Sequence, residues 1–192
     1  MTATTPLQNI SPDVLAAARQ VRLVVLDGVL TDGSIWTGPE GEAVKRFNTR
    51  DGLGIKMLQA AGIPVAILTG RVSAQTAARA RELGITSVAQ GRQFKTESFK
   101  ELLAAHGCTA QECAYMGDDV PDLPVLKLAG LATAPADAEP CIRDIVDWVS
   151  PKAGGNGAVR SLAELVLRAQ DRWEALVEER YVKGNIQGTI KG

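Results

Sequence analysis

The sequence is poor in several features that mark particular classes of protein. Aromatic residues make up 4% of its 192 residues and the formal net charge is −1, so we expect no nucleic-acid partner and no membrane partner. Three cysteines without a C-x-x-C pair favour a reduced, cytoplasmic protein over a disulfide scaffold. No signal peptide and no run of about 18 apolar residues is present, which predicts no membrane span.

A regular alternation of apolar runs and helical periods predicts the fold class. It predicts an α/β fold with a doubly wound, Rossmann-like parallel sheet in a single domain over residues 1–192, with flexible ends at 1–9 and 181–192. The predicted strands cover residues 21–26, 63–68, 85–89, 114–116, 131–134 and 148–149. The predicted helices cover residues 14–20, 50–61, 73–83, 94–106, 121–129 and 158–179.

A short insert follows the first predicted strand. Two extended runs flank the turn Gly38-Pro39-Glu40-Gly41, and residues 34–48 are too sparsely apolar for a central strand. We predict a β-hairpin insert outside the main sheet, serving as a flap or an oligomer contact, and no large cap domain.

Four of the predicted strands lead into polar residues. These are Asp27, Thr69, the loop 91–95 and the pair Asp118-Asp119. The carboxyl ends of parallel strands meet at one edge of a sheet, where open α/β proteins carry their sites. One such residue alone is common turn chemistry, whereas four in order predict a single functional edge.

From residue 21 to residue 170 these motifs resemble the haloacid dehalogenase-like phosphohydrolases. The resemblance implies phosphoryl transfer to an aspartate, with a cation that neutralises the phosphate oxygens. Asp27 and Asp118 fit the carboxylate pair that Mg²⁺ prefers, so Mg²⁺ is the expected cofactor. Thr69 and the Gly70 amide would donate hydrogen bonds to the phosphate, while Lys95 would hold nucleophile and phosphate. The implied catalytic residues are Asp27, Thr69 and Lys95.

Further motifs resemble the family of 3-deoxy-D-manno-octulosonate 8-phosphate phosphatases. They are Asp-Gly-Val-Leu-Thr-Asp-Gly at 27–33, the run 47–52, the hairpin and the glycine-rich run 154–160. This likeness implies a Mg²⁺-dependent hydrolase of a sugar-acid phosphate on the lipopolysaccharide route, assembled as a homotetramer. It also implies a substrate side built from Asn48, Thr49, Arg50, Asp51, Gly52, Lys56, Gly70, Arg71, Arg79 and Lys95. Arginine suits a sugar carboxylate because the guanidinium group binds it bidentately.

The first motif departs from the family's pattern. Family members carry Asp-x-Asp-Gly, whereas Leu26-Asp27-Gly28 is two residues short. Counted from the strand, Asp27 is the nucleophile and the general acid/base is missing. Counted from the Gly-Val-Leu-Thr that follows, Asp27 is the acid/base and Val25 replaces the nucleophile. A third interpretation, which we favour because every other motif is present, is an intact family member whose sequence as written lacks two residues.

The gap has consequences for function. Loss of a general acid costs about 100- to 10,000-fold in rate, so we expect the chain as written to be a poor or inactive phosphatase. Two alternatives stay open, a non-catalytic oligomeric module with this fold and a phosphatase for a nine-carbon sialic-type acid phosphate.

Four other features receive simpler predictions. The run Gly154-Gly155-Asn156-Gly157 is expected to be a turn before a helix rather than a phosphate cradle. Asp122 suits a helix N-terminus, and His106 is expected to have no catalytic role. The polar, glycine-rich tail 183–192 is expected to close over a neighbouring subunit's site.

Overall fold

The central sheet forms from the apolar runs that the sequence predicts as strands. In this computed structural model, which describes residues 9–92 and 94–184, the strands are β1 (Leu23–Leu26), β2 (Trp36–Gly38), β3 (Gly41–Val44), β4 (Val65–Leu68), β5 (Ser87–Ala89), β6 (Cys113–Met116), β7 (Leu131–Ala134) and β8 (Trp148–Val149). Six of them pair in parallel in the order β5-β4-β1-β6-β7-β8. The predicted parallel sheet is confirmed.

Helices cover both faces of this sheet. They are α1 (Pro12–Gln20), α2 (Thr49–Ala60), α3 (Ala74–Leu83), α4 (Lys95–Ala105), α5 (Leu123–Leu126), α6 (Pro140–Arg143), α7 (Ala158–Ala169) and α8 (Trp173–Val177). Several ends follow ordinary capping chemistry. The Ser73 side chain accepts a hydrogen bond from the Thr76 amide at the start of α3, and Gly84 ends that helix with φ 71°.

Strand β1 lies at the centre and divides the core into two layers. Val24 and Leu26 pack into the core on the side of α1, α2 and α7, whereas Leu23 and Val25 face the side of α4 and α5. All four are at most 1% exposed. The chain passes from β1 to β4 on one side and later to β6 on the other, so the strand order reverses beside β1. A crevice at the carboxyl ends is expected at such a reversal.

The insert after β1 forms the predicted hairpin. Strands β2 and β3 pair antiparallel in a sheet of their own. The Gln75 amide at the start of α3 donates to the carbonyls of Glu42 and Ala43. The Glu42 carboxylate accepts a hydrogen bond from the Ser73 hydroxyl at 2.5 Å. The hairpin is therefore tied to the first turn of α3.

Two helix predictions are wrong in extent. The helix predicted over 121–129 is a 3₁₀ turn at Val120–Asp122 followed by the four-residue α5, and α6 has no sequence prediction. The helix predicted over 158–179 breaks at Asp171, which has φ 56°. There the Arg172 amide donates to the Leu167 carbonyl and closes α7.

Three predictions concern parts of the chain at its ends. The flexible ends predicted at 1–9 and 181–192 fall largely on residues 1–8 and 185–192, which lie outside the described residues. The same holds for most of the tail predicted to close over a neighbouring site.

Within the described ranges, every helix is too short or too polar to cross a membrane.

Candidate active site

A cleft of about 580 Å³ opens at the carboxyl ends of the central strands. Its lining includes the polar strand-end residues that the sequence predicts for one edge. They are Asp27, Gly28, Thr69, Gly70, Arg71, Lys95, Asp118, Asp119 and Asp122. The fold therefore brings together residues from four strand ends.

Asp27 and Lys95 form a buried ion pair in the floor of the cleft. Asp27 directly follows β1, and its Oδ2 lies 2.6 Å from the Lys95 ammonium group. Lys95 begins α4, which follows β5, and the same ammonium group lies 2.8 Å from Asp122 Oδ1. Both carboxylates and the lysine side chain are less than one-tenth exposed. Lys95 thus balances the negative charge of the two carboxylates.

Asp122 is more important to this arrangement than the sequence predicts. One of its oxygens accepts from Lys95 and from the Tyr115 hydroxyl, which lies 2.7 Å away. The other accepts from the backbone amides of Asp118 and Asp119 at 3.0 and 3.2 Å. Asp122 therefore fixes the loop that carries Asp118. The predicted role at a helix N-terminus is confirmed for the short 3₁₀ turn but accounts for only part of these contacts.

Tyr115 is a site residue that the sequence reasoning missed. It lies in the buried strand β6 and its hydroxyl donates to Asp122, with Asp27 Oδ2 at 3.3 Å. A buried tyrosine requires a partner for its hydroxyl, which is the only signal in the sequence for such a contact. Its ring packs edge-on against Phe99 of α4 at 5.9 Å. Tyr115 thereby helps to position Asp27, the candidate nucleophile, and Asp122 from within the sheet.

The site is crowded with negative charge. Burial and the neighbouring Asp122 raise the pKa of Asp27 to about 7, although Lys95 opposes this effect. Burial and Asp122 likewise raise the pKa of Asp118 to about 6. Burial lowers the pKa of Lys95, but Asp27 and Asp122 outweigh it, so that the pKa lies above its usual value. A cation bound beside these carboxylates would relieve their repulsion.

Asp27 and Asp118 fit a magnesium ion. A Cβ atom on Gly28 would overlap the Asp118 carboxylate, so the glycine allows that carboxylate to approach the backbone directly after Asp27. Among the described residues, no group of three or more His, Cys, Asp or Glu side chains is arranged to hold a metal. Magnesium commonly uses one or two carboxylates and completes its shell with water and phosphate oxygens. The donor set therefore suits Mg²⁺ better than a metal that needs a full set of protein ligands.

The loop after β4 offers hydrogen-bond donors at the opposite side of the cleft. The Thr69 amide donates to the Ala89 carbonyl, and the Thr69 carbonyl accepts from the Arg92 amide, so this loop is pinned to the end of β5. Thr69 is half-buried and Gly70 is exposed at the cleft. Arg71 is 58% exposed and lies 3.7 Å from Glu42 of the hairpin. These groups are available to an anionic ligand.

Most of the predicted substrate side does not line this cleft. Asn48 accepts from the Arg50 amide as the N-cap of α2, while Thr49 and Arg50 are exposed. Lys56 is exposed on α2, and Arg79 contacts Phe47 and Glu82. Predicted substrate residues outside the lining are Asn48, Thr49, Arg50, Asp51, Gly52, Lys56 and Arg79. Lys45 and Phe47 from the end of the insert take their place in the lining.

Asp51 and Gly52 are buried for structural reasons. The Asp51 carboxylate accepts from the backbone amides of Gly157 and Arg160 at 3.1 and 2.8 Å, at the start of α7. A Cβ atom on Gly52 would overlap the Arg79 guanidinium group. The expected turn over Gly154–Gly157 is confirmed and contacts Asp51. Both residues therefore contribute to the packing of α2 against α3 and the start of α7.

The loop after Asp27 carries no second carboxylate into the cleft. The Asp27 amide donates to the Met116 carbonyl and extends the β1 pairing by one residue. Gly28 then turns the chain with φ 70°, and Val29 is 1% exposed. Asp32 lies on the surface, paired with Arg46 at 2.9 Å. Asp27 is therefore the carboxylate that this loop contributes to the cleft.

Known proteins resemble the chain over most of its length. Residues 53–130 match the family model of the haloacid dehalogenase-like hydrolases. The 3-deoxy-D-manno-octulosonate 8-phosphate phosphatase of Yersinia pestis is 43% identical over 167 residues, covering 86% of this chain and 89% of that protein. The protein of the same name from Escherichia coli (strain K12) is 44% identical over 165 residues, covering 85% and 88%.

Solved structures agree with these relatives. The crystal structure of the Yersinia pestis phosphatase has a TM-score of 0.84 at 43% identity and covers 86% of this chain and 90% of that chain. The phosphatase from Moraxella catarrhalis, in complex with magnesium ion, phosphate ion and KDO molecule, has a TM-score of 0.83 at 38% identity. That match covers 86% of this chain and 96% of the other.

Proposed function

The chain belongs to the 3-deoxy-D-manno-octulosonate 8-phosphate phosphatase family of haloacid dehalogenase-like hydrolases, and we propose that its reaction is Mg²⁺-dependent hydrolysis of that sugar-acid phosphate. It is a phosphoric monoester hydrolase by family. The observation that carries the proposal is the buried Asp27–Lys95 ion pair in the floor of the cleft, with Asp118 beside the adjoining Gly28. The Moraxella relative, with its magnesium, phosphate and KDO, supports the choice of cofactor and substrate. The product would enter lipopolysaccharide synthesis.

Asp27 acts as the nucleophile in this proposal. One carboxylate oxygen attacks the phosphorus atom and forms an aspartyl phosphate, while the bond from phosphorus to the sugar oxygen breaks and that oxygen takes a proton from water. A water molecule then bonds to phosphorus and loses a proton, and the Asp27 carboxylate leaves, which releases inorganic phosphate. Its position directly after β1 and its contact with Lys95 support this role over that of acid/base. Asp27 and Asp118 would hold the magnesium ion, which neutralises charge on the phosphate oxygens.

The remaining residues position the phosphate and the sugar. Lys95 favours the ionised form of Asp27 against the effect of burial, because a cation at 2.6 Å stabilises the charged carboxylate. The Thr69 hydroxyl and the Gly70 amide donate to the phosphate oxygens. Arg71 and Lys45, at the hairpin side of the cleft, attract the sugar carboxylate.

Release of inorganic phosphate tests the proposal. The full chain is incubated with 3-deoxy-D-manno-octulosonate 8-phosphate, with magnesium or with a chelator, beside the Asp27→Asn variant. We expect slow release that requires both magnesium and Asp27, lowered by about 100- to 10,000-fold from an enzyme with a general acid. Equal release in all samples would contradict the proposal.

We also propose that the chain forms a homotetramer in the cytoplasm. The hairpin insert carries three exposed apolar side chains, Ile35, Trp36 and Val44, with exposed fractions between 50% and 63%. Such an apolar patch is typical of an interface. Three free thiols fit a reducing compartment. Light scattering of the parent chain and of Trp36→Glu tests the assembly. We expect a tetramer that dissociates in the variant, and a monomeric parent would contradict the proposal.

A further inference from the structure

The cleft holds a nucleophile, but each of its other described carboxylates has a structural contact or lies at the magnesium position. Among the residues that the structure describes, the carboxylates that line it are Asp27, Asp118, Asp119 and Asp122. The two residues that follow Gly28 bury apolar side chains, and the next, Thr31, bonds its hydroxyl to the Gly28 carbonyl. The only carboxylate of the loop 28–33, Asp32, pairs with Arg46 on the surface, so this loop places no acid or base in the cleft.

The other carboxylates have partners or positions that remove them from this role. Both oxygens of Asp122 are engaged, one with Lys95 and Tyr115 and the other with two backbone amides. Asp118 lies against Gly28, where a proton carrier would compete with the magnesium position. Asp119 is exposed and its Oδ1 caps the following turn by accepting from the Val120 amide at 2.7 Å.

The reaction has two halves, transfer of the phosphoryl group to Asp27 and hydrolysis of the aspartyl phosphate, and such a site affects them differently. An alcohol leaves phosphorus only with a proton, so esters of sugars react slowly without a general acid. The leaving oxygen of an acyl phosphate departs as a carboxylate anion and needs no proton. In the second half, the hydrolysis of the aspartyl phosphate, the attacking water must lose a proton. Among the described residues of the cleft, the carboxylates left for this task are Asp118, at the magnesium position, and the exposed Asp119.

Building on the proposed function, we propose that this chain accepts the phosphoryl group of acyl phosphates and retains it as an aspartyl phosphate on Asp27. In the forming step, an Asp27 oxygen bonds to phosphorus, the bond from phosphorus to the acyl oxygen breaks, and the carboxylate leaves with the electron pair. Hydrolysis would require water to bond to phosphorus and lose a proton while Asp27 leaves. The chain is then a phosphoryl acceptor that can be loaded but turns over slowly.

Intact mass spectrometry with acetyl phosphate tests this proposal. The full chain is incubated with acetyl phosphate and magnesium, and both the protein mass and the released phosphate are followed with time. We expect each chain to gain the mass of one phosphoryl group, mapped to Asp27 by peptide analysis. Asp27→Asn should gain none, and release of phosphate should not exceed a few equivalents while the label persists.

Two insertion variants isolate the missing proton carrier. Insertion of Val-Asp between Asp27 and Gly28 lengthens the loop and adds a carboxylate, whereas insertion of Val-Asn gives the same length without it. We expect the Val-Asp variant to release phosphate about 100- to 10,000-fold faster and to keep no label. The Val-Asn variant should still become labelled, which also shows that the longer loop folds.

Several outcomes would overturn the inference. Rapid multiple turnovers by the parent chain without a retained label would mean that another group moves the proton, and loss of this turnover in Asp119→Asn would identify it. Equal turnover by the two insertion variants would contradict the role of the added carboxylate. A parent chain that neither becomes labelled nor releases phosphate from any donor would refute the proposed function as well.

Discussion

Two buried aspartates, Asp27 and Asp51, differ in the groups that they contact and in their position relative to the cleft. Both are at most 4% exposed, and burial raises the pKa of each. Asp27 is paired with the side chain of Lys95 and faces the cleft. Asp51 is held by backbone amides of Gly157 and Arg160 and lies outside the cleft lining.

The partners of Asp27 and Asp51 explain why the two carboxylates differ in role. Backbone amides at a helix start cannot rotate away or titrate, so a carboxylate that they hold is part of the packing between helices. A lysine ammonium group is mobile and charged, and it can share its hydrogen bonds with an incoming phosphate. A buried aspartate is thus a candidate for chemistry when its partner is a side chain that also reaches the cleft.

Removal of Lys95, the partner of Asp27, should change both labelling and stability more than removal of Asp51. Lys95→Met leaves Asp27 and Asp122 buried without their shared cation. We expect labelling of Asp27 to fall by at least about 100-fold and the free energy of unfolding to fall by about 3 kcal/mol, as for a broken buried ion pair. Mass labelling and urea denaturation measure the two effects.

The matched control lies on the same helix. Lys100 pairs with Glu97 at 2.8 Å, and both side chains are more than 60% exposed. Lys100→Met should therefore change stability by less than about 0.5 kcal/mol and leave labelling intact. If Lys95→Met behaved like this control, the ion pair with Asp27 would have no part in the site.

Removing the structural aspartate should lower stability and spare the chemistry. Asp51→Ala leaves the amides of Gly157 and Arg160 without their acceptor, which should cost about 2 kcal/mol in the free energy of unfolding. Asp51→Asn keeps one carbonyl acceptor and should cost less. The labelling rate of the folded protein should not change in either variant. Slower labelling with unchanged stability would instead support the substrate-side role that the sequence predicts for Asp51.

The fold follows from local signals, which is why most of it could be predicted. Buried β-branched runs and cap residues such as Ser73 and Gly84 act within a few residues of the element that they define. The break at Asp171 is different. Aspartate is not a usual stop residue, and the Gln170 side chain bonds to carbonyls of Ala18 and Val21 at the other end of the chain. No local pattern indicates that contact.

The same distinction applies to the site. Asp27, Thr69 and Asp118 could be located because each follows a strand, and parallel strands end together. The contacts of Asp51 could not be foreseen in this way, because its partners lie more than 100 residues later in the sequence. Its substrate-side role stays a prediction.

The two-residue gap at Asp27 has a separate test. The chain as written has a mass of 20.3 kDa. A protein from its source that is heavier by two residues would support the omission that we favour, and the proposed retention of the phosphoryl group would then apply only to the sequence as written.

Glu112 should show the smallest effect, because its carboxylate combines a backbone partner with partial exposure to solvent. It accepts from the Thr109 amide and hydroxyl at 2.9 and 3.0 Å and pairs with Arg22 at 3.0 Å. The Thr109 amide, followed by Arg22, lowers the pKa of Glu112 to about 2. A carboxyl whose pKa is lower in the folded state stabilises the fold above its unfolded pKa, and this contribution is lost as the pH falls.

Glu112→Gln removes this contribution at every pH. We expect the variant to have a slightly lower Tm than the parent at pH 7, and the difference to shrink between about pH 4.5 and pH 2 as the parent carboxylate becomes protonated. Thermal unfolding at a series of pH values measures it. A Tm difference that stayed constant on acidification would mean that the charge of Glu112 contributes nothing. In that case, the contribution of Asp51 to stability would be attributed to its burial rather than to its hydrogen bonds with backbone amides.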